Sequence, residues 1–174
     1  MAHERRLFYG DNLDVLRDRW KIDDESVNLC YIDPPFNSKR SYNQIYNNKG
    51  NEDRAQSWVY SDTWTWNTAA INGFTEISEN RDRRFSEQTI ELIKGLRGVL
   101  KEGPLLAYLV SIALRVTEIR RVLKDTGSFF LHCDPTAGHY LKVVLDSVFV
   151  AGGATSRTKS SGTIVNGEPG KSSL

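Results

Sequence analysis

Cysteine is scarce in this chain, methionine scarcer, and no apolar run reaches membrane length. The two cysteines, Cys30 and Cys133, each lie inside a strand-like apolar run, which argues for buried thiols and against a disulfide framework. The longest apolar patch, LLAYLVSIAL from Leu105 to Leu114, is too short to span a bilayer. No charged-then-apolar leader opens the chain, so the expected location is the cytoplasm, with no membrane partner. An excess of either charge is missing too. The formal charge is +1, from 23 basic and 22 acidic residues, so a polyanion would have to be held by local basic clusters. What is present is ordinary: 39% apolar content over 174 residues suits one soluble domain with a core of its own.

Three short apolar runs read as strands: RLFYG before Asp11, VNLCYI before Asp33 and SFFLHC before Asp134. Each ends in an aspartate. Helical periodicity lies between them. Leu13, Leu16 and Trp20 share one face of a segment from Asn12 to Trp20, with Asp11 or Asn12 as N-cap. Leu105, Leu109, Ile112, Val116, Ile119 and Leu123 recur at spacings of four and three, predicting a long helix over Pro104 to Lys124 that Gly127 could end. A further helix is expected over His139 to Phe149. Strands alternating with helices give an α/β fold with a parallel sheet, whose ligands sit beyond the carboxyl ends of the strands. All three aspartates would lie there, although Asp11 could equally serve as a plain helix cap.

Asp33-Pro34-Pro35-Phe36 is the most informative stretch. Two prolines stiffen the backbone and remove their own N–H donors, so the loop presents carbonyl oxygens and one carboxylate. The aromatic ring beside them offers a stacking face. A planar ring bearing an amino group fits such a device, and an extruded adenine or cytosine is one. Its amine is a poor nucleophile until two acceptors help it pyramidalise. The plainer alternative is a rigid turn after a buried strand.

Taken together, GDNLDVL (Gly10 to Leu16), the DPPFN loop, DTWTW (Asp62 to Trp66), GSFFLHCDP (Gly127 to Pro135) and HYLKVVLDSVF (His139 to Phe149) resemble the amino-terminal half of an amino-methylating DNA methyltransferase. The likeness is to the circularly permuted class in which the catalytic motif precedes the cofactor motif, as in modification subunits of restriction systems. It implies an incomplete Rossmann-like fold, a parallel sheet with flanking helices, that uses S-adenosylmethionine on DNA, with a restriction subunit or a second copy as partner. By the resemblance Asp33 and the Pro34 carbonyl bind the target amine, Pro35 stiffens the loop, Phe36 stacks on the flipped base, and Asp11 lies near the cofactor's adenosine. Asn37 is a candidate substrate contact, Lys39 and Arg40 directly after the loop are placed for phosphate contact with solvated surface as the plainer alternative, and by the resemblance His132 and Asp134 stand at the rim of the base pocket. Adenine N6 is the expected acceptor, with cytosine N4 as the alternative.

Three further expectations concern organisation. Residues 1–150 form the catalytic half, with residues 37–85 a long loop over the active face in which Trp64 anchors to the core. Arg81, Arg83 and Arg84 make a solvated basic cluster. His132, Cys133, Asp134 and His139 carry metal-ligating groups, but strand alternation sends Cys133 to the face opposite His132 and Asp134, so no metal is expected.

The phenylalanine-flanked glycine loop that should hold the methionine end of the cofactor has no counterpart in strand-turn-helix setting; FVAGGATS (Phe149 to Ser156) follows a helix and leads into a polar tail. The isolated chain is therefore expected to be inactive. Residues 151–174, rich in Gly, Ser and Thr, are expected to be disordered, and a reading-frame change near Val150 would account for their foreign composition. Such a chain would also leave an unpaired edge strand and an incompletely covered long helix. Rival readings are a non-catalytic DNA-binding or assembly module, and methylation of an amine in RNA or protein.

Overall fold

The computed structural model describes residues 5–35, 64–133 and 135–150, together with the backbone of Thr155–Lys159 and Thr163–Gly167. In chain order the elements are α1 (Asn12–Arg17), β1 (Val27–Ile32), α2 (Thr68–Glu79), α3 (Glu87–Leu100), α4 (Pro104–Val122), β2 (Leu123–His132), α5 (Pro135–Phe149), β3 (Thr155–Lys159) and β4 (Thr163–Gly167). The four strands form one sheet in the order β1-β2-β4-β3. β1 and β2 are parallel, whereas β4 pairs antiparallel with both β2 and β3. The architecture is thus mixed α/β, with a parallel pair at its heart and an antiparallel hairpin beside it.

Strand β1 falls on the VNLCYI run read from the sequence, and Pro104 opens α4 where expected. Helix α4 is the centre of the core. Leu106, Tyr108, Leu109, Ile112, Val116 and Ile119 are all buried, beneath α1, α2, α3 and α5. The expectation that this helix would lack part of its cover is therefore wrong. Part of the cover comes from α2, which falls within the stretch 37–85 expected to be a long loop. Its inward positions are Ala70, Gly73 and Ile77, and two small residues among three blur an apolar stripe. Asn67 caps its start by accepting from the Ala70 amide at 3.1 Å. Asn80 ends it in the left-handed region at φ 44°, where its side chain bonds both the N–H and the carbonyl of Phe85.

Other boundaries also moved. Helix α1 stops at Arg17, because the Asp18 carboxylate accepts the Trp20 amide at 3.0 Å and turns the chain; Trp20 is left exposed. Gly127 does not end α4. The helix passes into β2 at Leu123, and Gly127 lies inside that strand, where a Cβ would sit 3.0 Å from the Val27 carbonyl of β1. Arg6 to Gly10 is irregular and not a strand, with Leu7 and Tyr9 almost wholly exposed. The hairpin β3–β4 falls in the segment expected to be disordered. Thr155, Thr158, Thr163, Ile164 and Val165 are β-branched, and the edge of β2 offers unpaired backbone groups to pair with.

Helix α3 carries a test of local energetics. Gly95 lies in its interior and a Cβ there would meet nothing within 4 Å. Gly95→Ala should therefore raise the unfolding free energy by about 0.5 to 1 kcal/mol, read as a higher urea midpoint. A lower midpoint would mean that the position is packed.

Candidate active site

The parallel pairing of β1 with β2 places the key residues. Cys30, Tyr31 and Ile32 stand opposite Phe129, Phe130 and Leu131, and residues directly opposite one another share a face of the sheet. Phe129, Leu131 and Cys133 point into the core, where Phe129 stacks on Phe149 of α5 at 5.3 Å. The alternate residues therefore face the side that the helices leave uncovered, and Leu29 and Tyr31 are more than half exposed there. Continuing the register by one step brings Asp33 beside His132. Their side chains meet, with Nδ1 of His132 3.1 Å from Oδ1 of Asp33.

The loop after Asp33 is held from another direction. The indole N–H of Trp64 donates to the Pro35 carbonyl at 3.4 Å, and its ring lies 5.4 Å from that of Tyr108 in α4. Trp64 thus ties the proline loop to the buried helix, the anchoring role expected from sequence. It leaves the Pro34 carbonyl as a separate acceptor on the neighbouring residue. Phe36, Asn37, Lys39, Arg40 and Asp134 lie outside the described residues.

Asp11 is placed elsewhere. It caps α1, accepting the Leu13 amide at 2.8 Å, and pairs with Arg115 of α4 at 2.9 and 3.2 Å. Arg115 also bonds Asn12 and Ser111. Sequence reasoning missed Arg115, since nothing in a helix repeat marks which polar position will meet a residue a hundred places earlier. Asp11, Ser111 and Arg115 line a cleft of about 370 Å³ whose other walls include Leu13, Trp64, Val110 and Leu114. Trp64 is the link between the two regions: it walls the cleft and bonds the loop that follows Asp33. The cleft suits a planar apolar group with a polar tail, because an aromatic wall faces a carboxylate. Oδ2 of Asp11 meets only Arg115 among the described residues and retains acceptor capacity.

The remaining expectations can be placed. Cys30 and Cys133 are both free thiols, and burial pushes the Cys30 pKa upward. Arg84 pairs with Asp82 and Glu118, and Arg81 with Glu79, so part of the basic cluster belongs to an ion-pair network. Among the described residues no group of His, Cys, Asp and Glu is arranged to hold a metal ion. No described helix is long and apolar enough to cross a membrane.

The arrangement is that of a mixed α/β chain in which an aspartate and two prolines follow one of two adjacent parallel strands. Comparison with known proteins narrows this. The chain is 26% identical over 144 residues to the type III restriction-modification enzyme StyLTI Mod subunit of Salmonella typhimurium. It is 27% identical over 146 residues to the EcoPI Mod subunit of Escherichia phage P1, and 26% over 143 to the EcoP15I Mod subunit of Escherichia coli. These matches take in 83%, 84% and 82% of this chain but 18%, 19% and 18% of those proteins. The chain thus spans about a fifth of the length of the curated relatives it matches. No protein-family model matches it.

Proposed function

We propose that this chain is the catalytic portion of a DNA amino-methyltransferase of the modification-subunit kind, directed at adenine N6. One observation carries the reading: Asp33, at the end of β1, is held by His132 at the end of the neighbouring parallel strand, in a stretch that matches Mod subunits on both sides. The parallel pair packed on α4 and α5 is taken as part of a Rossmann-like methyltransferase fold. An extruded adenine would give one amine hydrogen to Asp33 and the other to the Pro34 carbonyl, drawing the nitrogen toward the pyramidal geometry of a nucleophile. Phe36 would stack on the base. Asn37, Lys39, Arg40 and Asp134 are assigned to the rim and to flanking phosphates. When bound, S-adenosylmethionine supplies the methyl group. Asp11, Trp64 and the cleft between them fit the adenosine end, and the methionine end awaits a glycine loop that the described residues do not contain. DNA is the substrate in this reading, and a restriction subunit or a second copy is the partner.

The reading is tested with a chimera in which residues 6–149 replace the matched segment of the StyLTI Mod subunit. Incubation with labelled S-adenosylmethionine and DNA, followed by nucleoside analysis, should yield N6-methyladenine. N4-methylcytosine would move the target to cytosine. DNA binding without any methyl transfer would favour a non-catalytic module.

A further inference from the structure

We infer that His132 is a positioning residue that acts through Asp33, fixing the carboxylate so that one oxygen is aimed at the target amine, and does not meet the base itself. The inference rests on the proposed amine-binding role of Asp33 and assigns the group that makes that role possible.

Asp33 needs such a support. Its side chain is 56% exposed and lies just past the last hydrogen-bonded residue of β1. Nothing in the strand ladder sets its side-chain torsions, and a freely rotating carboxylate would lose rotamer freedom on binding the amine. His132 removes that freedom beforehand. It is the last residue of β2, paired with Thr163 of β4 and directly after Leu131, which pairs with Ile32 of β1, so its backbone is held. Its neighbours Leu131 and Cys133 are buried to 0% and 3% exposure, which anchors the backbone on either side of the imidazole. A carboxylate only accepts hydrogen bonds, so the 3.1 Å contact requires the hydrogen on Nδ1. Oδ1 is then engaged, and Oδ2 is the oxygen turned to the amine. The two prolines that follow have no N–H to offer this carboxylate. The parallel register supplies a donor from β2.

A role exerted through Asp33 differs measurably from direct base contact. The chain itself is titrated with a short thymine-rich single strand carrying one central adenine, and with the same strand carrying purine, which lacks the amino group. The ratio of the two affinities reports the amine contact alone. Wild type should prefer adenine. His132→Ala should lose roughly fivefold to tenfold of that preference, the worth of one well-aimed hydrogen bond. His132→Asn should restore most of it, because the asparagine amide nitrogen lies near the position of Nδ1 yet offers no ring to stack on a base. In an Asp33→Ala background, His132→Ala should cost nothing further. His132 is 40% exposed, so both variants should fold, and an unchanged urea midpoint checks this. If wild type shows no preference for adenine, Asp33 is not an amine acceptor and the underlying reading falls. If wild type prefers adenine and His132→Ala keeps that preference, or His132→Asn fails to rescue it, the positioning role alone is overturned.

Discussion

In the chimera, Asp33→Ala lowers the methyl-transfer rate by about two orders of magnitude or more, while affinity for S-adenosylmethionine stays within a factor of about two; this is the expected result. The reason is where the interaction is spent. An amine lone pair delocalised into a purine ring is only weakly bound in the ground state, and an acceptor gains most as the nitrogen pyramidalises and its hydrogens become more acidic. Losing that acceptor therefore shows in the rate more than in binding. The cleft proposed for the cofactor is lined by Asp11, Leu13, Val110 and Arg115 and does not include Asp33, so cofactor affinity should be spared. Single-turnover transfer of labelled methyl separates the two quantities. Near-normal turnover would remove Asp33 from the chemistry.

The largest expected effect on stability lies at the opposite end of the sheet. Glu118 of α4 is 5% exposed, and its carboxylate receives Arg121 at 2.8 Å and Arg84 at 3.2 Å, with Arg17 at 3.8 Å. Arg121 also donates to Asp24 and to the Leu16 carbonyl, and Arg17 pairs with Glu76 of α2. One buried acid thus joins α1, α2, α4 and the turn before α3. Burial opposes the charge on Arg121, but its hydrogen bonds to Glu118 and Asp24 prevail and its pKa is raised. Glu118→Ala would leave three guanidinium groups converging on an apolar hole. Breaking a buried pair from one side costs about 3 to 5 kcal/mol. Because the arginines reach solvent in part, roughly 2 to 3 kcal/mol is expected here, read as a lower urea midpoint with an unchanged slope. A loss under about 0.5 kcal/mol would show that the network is surface decoration.

Much of this fold can be read directly where one residue type repeats at one period. The run Val27–Ile32 is strand-like in length and composition, and the apolar stripe of α4 is strong enough to locate the core helix. What could not be read is whatever depends on distant partners. Arg6 to Gly10 has the composition of a strand, yet no strand forms there, because composition alone does not supply a neighbouring strand to complete a ladder. Helix α2 hides its inward face behind Ala70 and Gly73. Gly73 is small because α4 runs close by, with Leu114 2.9 Å from where its Cβ would be. The candidate site divides the same way. Asp33 stands out from its own loop, and Trp64 as a large aromatic side chain in a polar stretch. His132 could be assigned only to a rim, because its bond to Asp33 spans 99 positions and exists through strand register alone. Asp11 keeps the capping role that its local sequence permits, and Arg115 came to light only in three dimensions.

The central claim is that Asp33 accepts a hydrogen bond from the exocyclic amine of a base, and the amine can be observed directly. An oligonucleotide with ¹⁵N in the amino group of its single adenine is bound to the chain and its amino protons are followed by NMR. They should become inequivalent, one shifted downfield and slowed in exchange, and both should return to free-strand behaviour when the bound protein is Asp33→Ala. Amino protons that remain equivalent and rapidly exchanging on the wild-type chain, with binding established independently, would contradict the account.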